Sequence, residues 1–242
     1  MSGEFIRTER VIGHEAMETL RHARIAVFGL GGVGGNAAEA LARCGVGTLD
    51  LIDNDEVVLS NINRQAFALH STVGMKKTDA AKARIHDISP DTVVNLYPIF
   101  YLPETRDQIP FREFDYIIDA IDTVTAKLDL IEQAIHYDVP IISSMGTGNR
   151  MDPSKLSIKD VYETSGDPLA RIMRHELRKR GVKKLTVCTS SELPVVPLES
   201  EEAPSGTRRS VPGSTSFVPP AAGILIASYV VRQLTGFQEG RR

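Results

Sequence analysis

The stretch from Arg24 to Asp53 constrains this chain more than any other. Arg24 to Gly29 (RIAVFG) is a short apolar run of strand type. Gly29-Leu30-Gly31-Gly32-Val33-Gly34-Gly35 is a turn almost free of side-chain bulk, and Asn36 to Cys44 is a small-residue segment with helical spacing. Gly45 and Gly47 stop that helix, and Thr48 to Asp53 (TLDLID) reads as a second strand. Two strands joined through one helix form a parallel pair, with a right-handed crossover.

The alternation continues downstream. Met75 to Ile88 reads as a helix stopped before Ser89-Pro90, Thr92 to Tyr97 as a strand, and Asp115 to Ile121 as a further strand ending in acids. Val124 to Tyr137 reads as a helix and Pro140 to Ser144 as a strand. The pattern predicts an α/β fold: a Rossmann-like, doubly wound, mainly parallel sheet whose ligands sit at the carboxyl ends of its strands.

After Gly146 the pattern changes. Leu156 to Tyr162 is an added strand, Asp167-Pro168 opens a helix that Gly181 can close, Leu185 to Thr189 is a strand, and Pro219 to Leu234 is a closing helix. Together they form a C-terminal β/α extension. Residues 190–216 are rich in Pro, Ser and Glu and lack periodicity, so a mobile loop is expected there. With 242 residues, 42% of them hydrophobic, 1–242 is expected to form a single domain.

Composition removes several classes. Twenty-eight basic against 31 acidic residues give a net charge of -3, so any nucleic-acid surface must be a local patch. Two cysteines, Cys44 and Cys188, exclude a disulfide scaffold and a four-cysteine zinc site, and suit a reducing cytoplasm. The opening MSGEFIRTER has no apolar signal region, and the apolar run Ala221 to Val231 is about half the length needed to cross a bilayer, so a cytoplasmic chain without stable membrane insertion is expected. The six histidines show no metal-ligand spacing.

A turn without Cβ atoms lets backbone N–H groups approach a phosphate, and the following helix aims the positive end of its dipole at the same place. Asp53 closes the second strand, where a carboxylate takes ribose hydroxyls. These features alone serve NAD and ATP equally, and a purely structural turn also fits the glycines. Ser60-Asn61-Ile62-Asn63-Arg64-Gln65 and Lys76-Lys77 add the amides and cations that a triphosphate requires, although Arg64 and Lys77 also fit ordinary solvated charges. In Asp119-Ala120-Ile121-Asp122, Asp122 is a candidate magnesium ligand, since Mg2+ favours one or two protein carboxylates plus ligand oxygens; a helix N-cap is a compatible second role.

Arg7 to Arg10, GLGGVGG, LIDNDEVVLSNINRQ, VGMKK and DAID stand in an order that resembles the ubiquitin-activating-enzyme-like family, which includes the sulfur-carrier adenylyltransferases. That family adenylates carboxyl groups. The resemblance implies ATP and Mg2+ as cofactors, with a monovalent cation left open. By position, it implies nucleotide contacts from Gly29, Gly31, Gly32, Val33, Gly34, Asp53, Asp55, Asn61, Arg64, Gln65, Lys77, Asp119, Ala120 and Ile121. It places Arg10, Asn61, Arg64, Lys77 and Asp122 in the chemistry, with Asp122 on the metal and Arg10 reaching across a homodimer. Thr123 departs from the asparagine common in the family.

Carrier adenylyltransferases usually bear paired zinc cysteines, which this chain lacks. Cys188 is the one candidate nucleophile in the second half, and it sits in an apolar segment that favours packing. SSMGTGNRMDPSKLSIKDVYETSGDPLARIMRHELRKRG and GSTSFVPPAAG resemble instead the branch that cyclises threonylcarbamoyladenosine in tRNA with ATP, a net dehydration. For such a substrate the second nucleophile lies in the same side chain, so ring closure requires no enzyme cysteine. From Arg171 to Lys184 seven basic residues face Glu176 alone, a balance of 7 − 1 = +6. Leu169, Ile172, Met173 and Leu177 are expected on its buried face, leaving Arg171, Arg174, Arg178 and Lys179 for RNA; Arg208 and Arg209 are further candidates. A solvated basic surface is the competing reading of that run, and adenylation of a ubiquitin-like sulfur carrier the competing function. Sulfur-transfer protein partners are left open.

Overall fold

The computed structural model describes residues 3–198 and 212–238. Among these residues seven strands form one sheet in the order β3-β2-β1-β4-β5-β7-β6. They are β1 (Arg24–Phe28), β2 (Thr48–Ile52), β3 (Val93–Tyr97), β4 (Tyr116–Asp119), β5 (Ile141–Ser144), β6 (Leu156–Asp160) and β7 (Thr186–Ser190). All neighbouring pairs are parallel except β6 with β7. The Rossmann-like, mainly parallel arrangement expected from the alternation is therefore the observed one, and the C-terminal extension supplies the antiparallel edge.

Helices cover both faces, as parallel strands buried on two sides require. On one face, α2 (His14–His22), α3 (Gly34–Arg43), α4 (Lys77–Ile88) and α7 (Val218–Thr235) pack around Met17, Leu20, Leu41, Leu49, Ile85 and Ile226. On the other, α5 (Val124–His136) covers Phe28, Ile117 and Phe111, while α6 (Pro168–Lys179) packs Met173 and Leu177 against Leu128 and Val187. Each such aliphatic side chain taken fully from water contributes about 1.5–3 kcal/mol.

Several boundaries differ from the sequence reading for local reasons. The first crossover helix begins at Gly34 rather than Asn36, so the last two glycines form its opening turn. Met75 and Lys76 lie outside α4 because Lys76 bridges Glu56 in extended conformation. The added strand stops at Asp160, whose carboxylate accepts from the Tyr162 amide and starts a 3-10 turn. Before β1 the sequence reading placed no helix, yet α1 (Ile6–Ile12) and α2 precede it, broken at Gly13. The expected loop at 190–216 begins after Ser190, the last residue of β7; residues 199–211, with Arg208 and Arg209, lie outside the described residues.

On α6 the buried residues are Ala170, Met173 and Leu177, whereas Ile172 is 46% exposed. This corrects the expected apolar face: helical spacing from Met173 and Leu177 runs back to Ala170, and Ile172 lies roughly opposite. Ile172→Gln should change unfolding free energy by less than about 0.5 kcal/mol, whereas Leu177→Ala should cost about 2 kcal/mol or more; urea titrations of both variants check the assignment. No helix among the described residues is long and apolar enough to cross a membrane.

Candidate active site

The sheet register brings the site together. Phe28 stands beside Ile52 on one side and Asp119 on the other, so the chain leaves β1, β2 and β4 at one level. Crossovers leave β1 and β4 toward opposite sides, and the crevice at such a switch point is where α/β sheets bind ligands. Gly29 (φ 86°) turns the chain over this crevice so closely that a Cβ there would lie 2.7 Å from the Ala120 carbonyl oxygen. At Gly31 a Cβ would meet nothing within 4 Å, so the loop's outer side is open for a group to approach the backbone.

Asp53 reaches from β2 into this loop. Its Oδ2 accepts from the Leu30 amide at 2.6 Å, and its Oδ1 from the Asp55 amide at 2.8 Å. Burial pushes its carboxyl pKa up, opposed by Lys77 and these two amides. Lys77, the first residue of α4, is buried with Nζ 2.8 Å from Asp55 and 4.0 Å from Asp53. The cation expected beside the nucleotide is thus already held between two carboxylates at the rim.

Residues 59–65 fold over the glycines from the other side. Asn61 is buried, accepting from the Val58 amide at 3.2 Å, and Gln65 is buried close by in sequence. Arg64 passes Gly32 closely enough that a Cβ there would lie 3.3 Å from its Cγ, and its Nη1 donates to Ser60 O and Asn63 Oδ1, each at 2.9 Å. Asn63 binds the returning chain, donating to Ser214 O at 2.9 Å and accepting from Ser216 Oγ. The GSTS segment therefore borders the same crevice.

At the end of β4 the two aspartates separate. Asp119 is fully buried, with Lys127 Nζ at 2.9 Å and Ser143 Oγ at 2.5 Å, so its carboxylate is committed to the interior. Ala120 and Ile121 carry the backbone past Gly29, and Asp122 emerges exposed. No group of three or more His, Cys, Asp or Glu residues able to hold a metal occurs among the described residues. An exposed hard carboxylate beside an open glycine loop fits Mg2+ that takes its other oxygens from phosphate and water.

Sequence reasoning missed Arg150, which is buried between the loop after β5 and the start of α6. Its Nη2 lies 3.4 Å from Asp167, its Nε donates to Glu192 O at 2.9 Å, and its Nη1 to Gly146 O. Asp167 caps α6 through Ala170 N and also accepts from Gly146 N, each at 3.0 Å. An isolated arginine in a glycine-rich loop carries no periodic signal, so the sequence offered no way to place it indoors. This network fixes the basic helix to the carboxyl end of the sheet. On that helix Arg171 and Lys179 are exposed, Arg174 donates to Thr164 Oγ1, and Arg178 lies over the Tyr162 ring at 5.0 Å. Arg10 is exposed on α1, far along the chain from these residues. Cys188 is buried on β7 and its thiol is pushed up to about 12 by burial, the environment of a packing residue.

The order of motifs and the switch-point geometry coincide with a known family, whose sequence profile matches residues 6–241. The chain belongs to the ThiF family. Within the ThiF family it is similar to the tRNA threonylcarbamoyladenosine dehydratase of Bacillus subtilis (strain 168), 44% identical over 242 residues that cover 97% of this chain and 95% of the relative. Among solved structures it is similar to the E. coli tRNA N6-threonylcarbamoyladenosine dehydratase in complex with ATP, with a TM-score of 0.88, 32% identity, and coverage of 96% of this chain and 94% of that one. The AMP complex of the same E. coli protein superposes with the same TM-score, identity and coverage.

Proposed function

We propose that this ThiF-family protein is an ATP-dependent dehydratase that cyclises N6-threonylcarbamoyladenosine in tRNA. The likeness to dehydratases along nearly the whole of both chains carries this reading. The gathering of the Gly29–Gly35 turn, Asp53, Arg64, Lys77 and Asp122 at the switch point supports it. Adenylation of a ubiquitin-like sulfur carrier, the competing function, is not favoured, because the relatives matched end to end are dehydratases. An NAD-dependent role has in its support only the glycine turn and Asp53, which ATP uses equally well.

In this reading the N–H groups of Gly31 to Gly34 and the start of α3 cradle phosphate, while Asp53 accepts from the ribose. Arg64, Lys77 and Asn61 line the phosphates, with Gln65, Asp55 and the backbone of Asp119, Ala120 and Ile121 bordering the nucleotide. The substrate carboxylate attacks the α-phosphorus and pyrophosphate leaves; preorganised Arg and Lys donors stabilise the charge that builds there. A nucleophile in the same threonylcarbamoyl group then attacks the activated carboxyl carbon, closing the ring and releasing AMP. The intramolecular geometry makes this second step fast without an enzyme nucleophile. Mg2+, held by Asp122, would supply charge neutralisation and orientation of the phosphate oxygens.

The unit is proposed to act as a single domain over 1–242, as the family match over residues 6–241 supports. A homodimer in which Arg10 reaches the partner's nucleotide, and contact with sulfur-transfer proteins, rest on the family resemblance; sedimentation tests the first. A cytoplasmic location rests on the two unpaired cysteines. Incubation with ATP and threonylcarbamoylated tRNA should release AMP and lower the nucleoside mass by one water; folded enzyme that gives neither product sinks the assignment. The tRNA is proposed to lie along α6. Arg171→Glu with Arg178→Glu should weaken tRNA binding and reduce the slope of log K against log salt by about 2, checked by filter binding across a salt series.

A further inference from the structure

We propose that Lys127 is the positioning residue that sets the Asp122 carboxylate against the nucleotide, an inference that rests on the adenylation reading above. Lys127 lies on α5 with no exposed surface, so it does not itself reach a nucleotide. Its Nζ donates to the Ile121 carbonyl at 3.0 Å and pairs with Asp119 Oδ2 at 2.9 Å. Asp119 Oδ1 in turn accepts from the Ile121 amide at 3.2 Å, and Ser143 Oγ donates to its other oxygen. Both polar groups of Ile121 are thereby held from below.

The consequence follows from peptide planarity. The Ile121 carbonyl and the Asp122 amide belong to one rigid plane, so fixing that oxygen fixes the direction in which Asp122 leaves the strand. The preceding plane is fixed as well, since it carries the Ile121 amide held by Asp119 and the Ala120 carbonyl on which Gly29 packs, and the plane before it is held by Ala120 N donating to Phe28 O at 2.8 Å. Asp122 itself is exposed, its Oδ1 accepts from Thr123 Oγ1 at 3.4 Å, and its backbone ties it to this clamp. Burying an ammonium and a carboxylate carries a desolvation penalty, and an apolar pair of similar volume would fill the space with less loss. Lys127 supplies what such a pair lacks, a charged donor aimed at one carbonyl.

The test is a comparison of Lys127→Met/Asp119→Asn, Lys127→Arg and Asp122→Ala. The double variant removes both buried charges together, so that neither ion is left uncompensated, and its folding is followed by circular dichroism and urea unfolding. Titration calorimetry gives ATP affinity with and without Mg2+, and AMP release gives kcat and KM. The expected result is ATP affinity without Mg2+ within about threefold of the parent. The gain in affinity on adding Mg2+ should be lost, and kcat should fall by about tenfold or more with little change in KM for tRNA. Lys127→Arg, which keeps the charge but moves the donor, should show a smaller loss of the same kind and serves as the deciding variant if the double variant does not fold. A folded variant that retains the Mg2+ gain and the parent kcat overturns the proposal. Asp122→Ala separates the two levels: if it too keeps the Mg2+ gain, the metal role of Asp122 has failed rather than the role of Lys127.

Discussion

Asp122→Ala is expected to leave the fold intact and to cut AMP release by about a hundredfold to a thousandfold, the usual effect of removing one preorganised group that stabilises transferred charge. The two halves of this expectation have separate causes. Asp122 is exposed, and its carboxylate accepts from Thr123 Oγ1 at 3.4 Å at the start of α5, a surface contact whose loss should move stability by about 1 kcal/mol or less. Of the two carboxylates at the carboxyl end of β4, Asp122 faces outward and Asp119 is turned in toward Lys127. Chromatography of nucleotides after incubation with modified tRNA gives the first measurement, and thermal unfolding the second. AMP release within tenfold of the parent removes Asp122 from the chemistry.

Gly34→Ala should be among the most damaging substitutions in the chain, with an expected loss above about 4 kcal/mol. A Cβ at Gly34 would lie 1.8 Å from the Gly29 carbonyl oxygen and 3.1 Å from the Ala120 Cβ, and the main obstacle is backbone that cannot rotate away. Gly31→Ala is the informative contrast. No atom lies within 4 Å of a Cβ there and its φ is ordinary, so the fold should survive with a change below about 0.5 kcal/mol. If the loop's backbone meets phosphate, ATP affinity should nevertheless fall by about tenfold or more, because the new methyl stands where the ligand approaches. Protection by ATP against thermal unfolding distinguishes the pair; undiminished protection of Gly31→Ala removes this loop from the nucleotide site.

Features written in short-range periodicity were legible in the sequence. The strand, glycine turn and helix from Arg24 to Arg43 need no distant partner to be recognised, and the added strand of the extension showed in its own alternation, whereas its antiparallel direction depends on pairing with β7 and did not show. Features that depend on which side of an element a polar residue falls were harder. Asp119 and Asp122 look alike at a strand end, yet β4 is buried along its whole length and keeps the first inside against Lys127, while the turn after it sends the second outward. Lys127 reads as a surface lysine until its spacing from Val124, Leu128 and Ile131 is noticed, which places it on the buried stripe of α5. Ile172 is the reverse case, an apolar residue outside its helix's core stripe. The helices before β1 were missed because α1 has no buried residue and hence no apolar face to reveal it.

The last helix has a bearing on the order in which this molecule matures. Pro219 and Gly223 of α7 lie directly behind the glycine turn: a Cβ on Gly32 would come within 2.9 Å of Pro219, and one on Gly223 within 2.3 Å of the Val33 carbonyl. The loop is translated early and its backing late. During synthesis the N-terminal strands can pair locally, but the phosphate cradle lacks its rear wall until residues beyond 223 leave the ribosome. A nascent chain arrested before α7 therefore has the sequence of the cradle without its shape, and competence for ATP should arrive in one step near the end of translation.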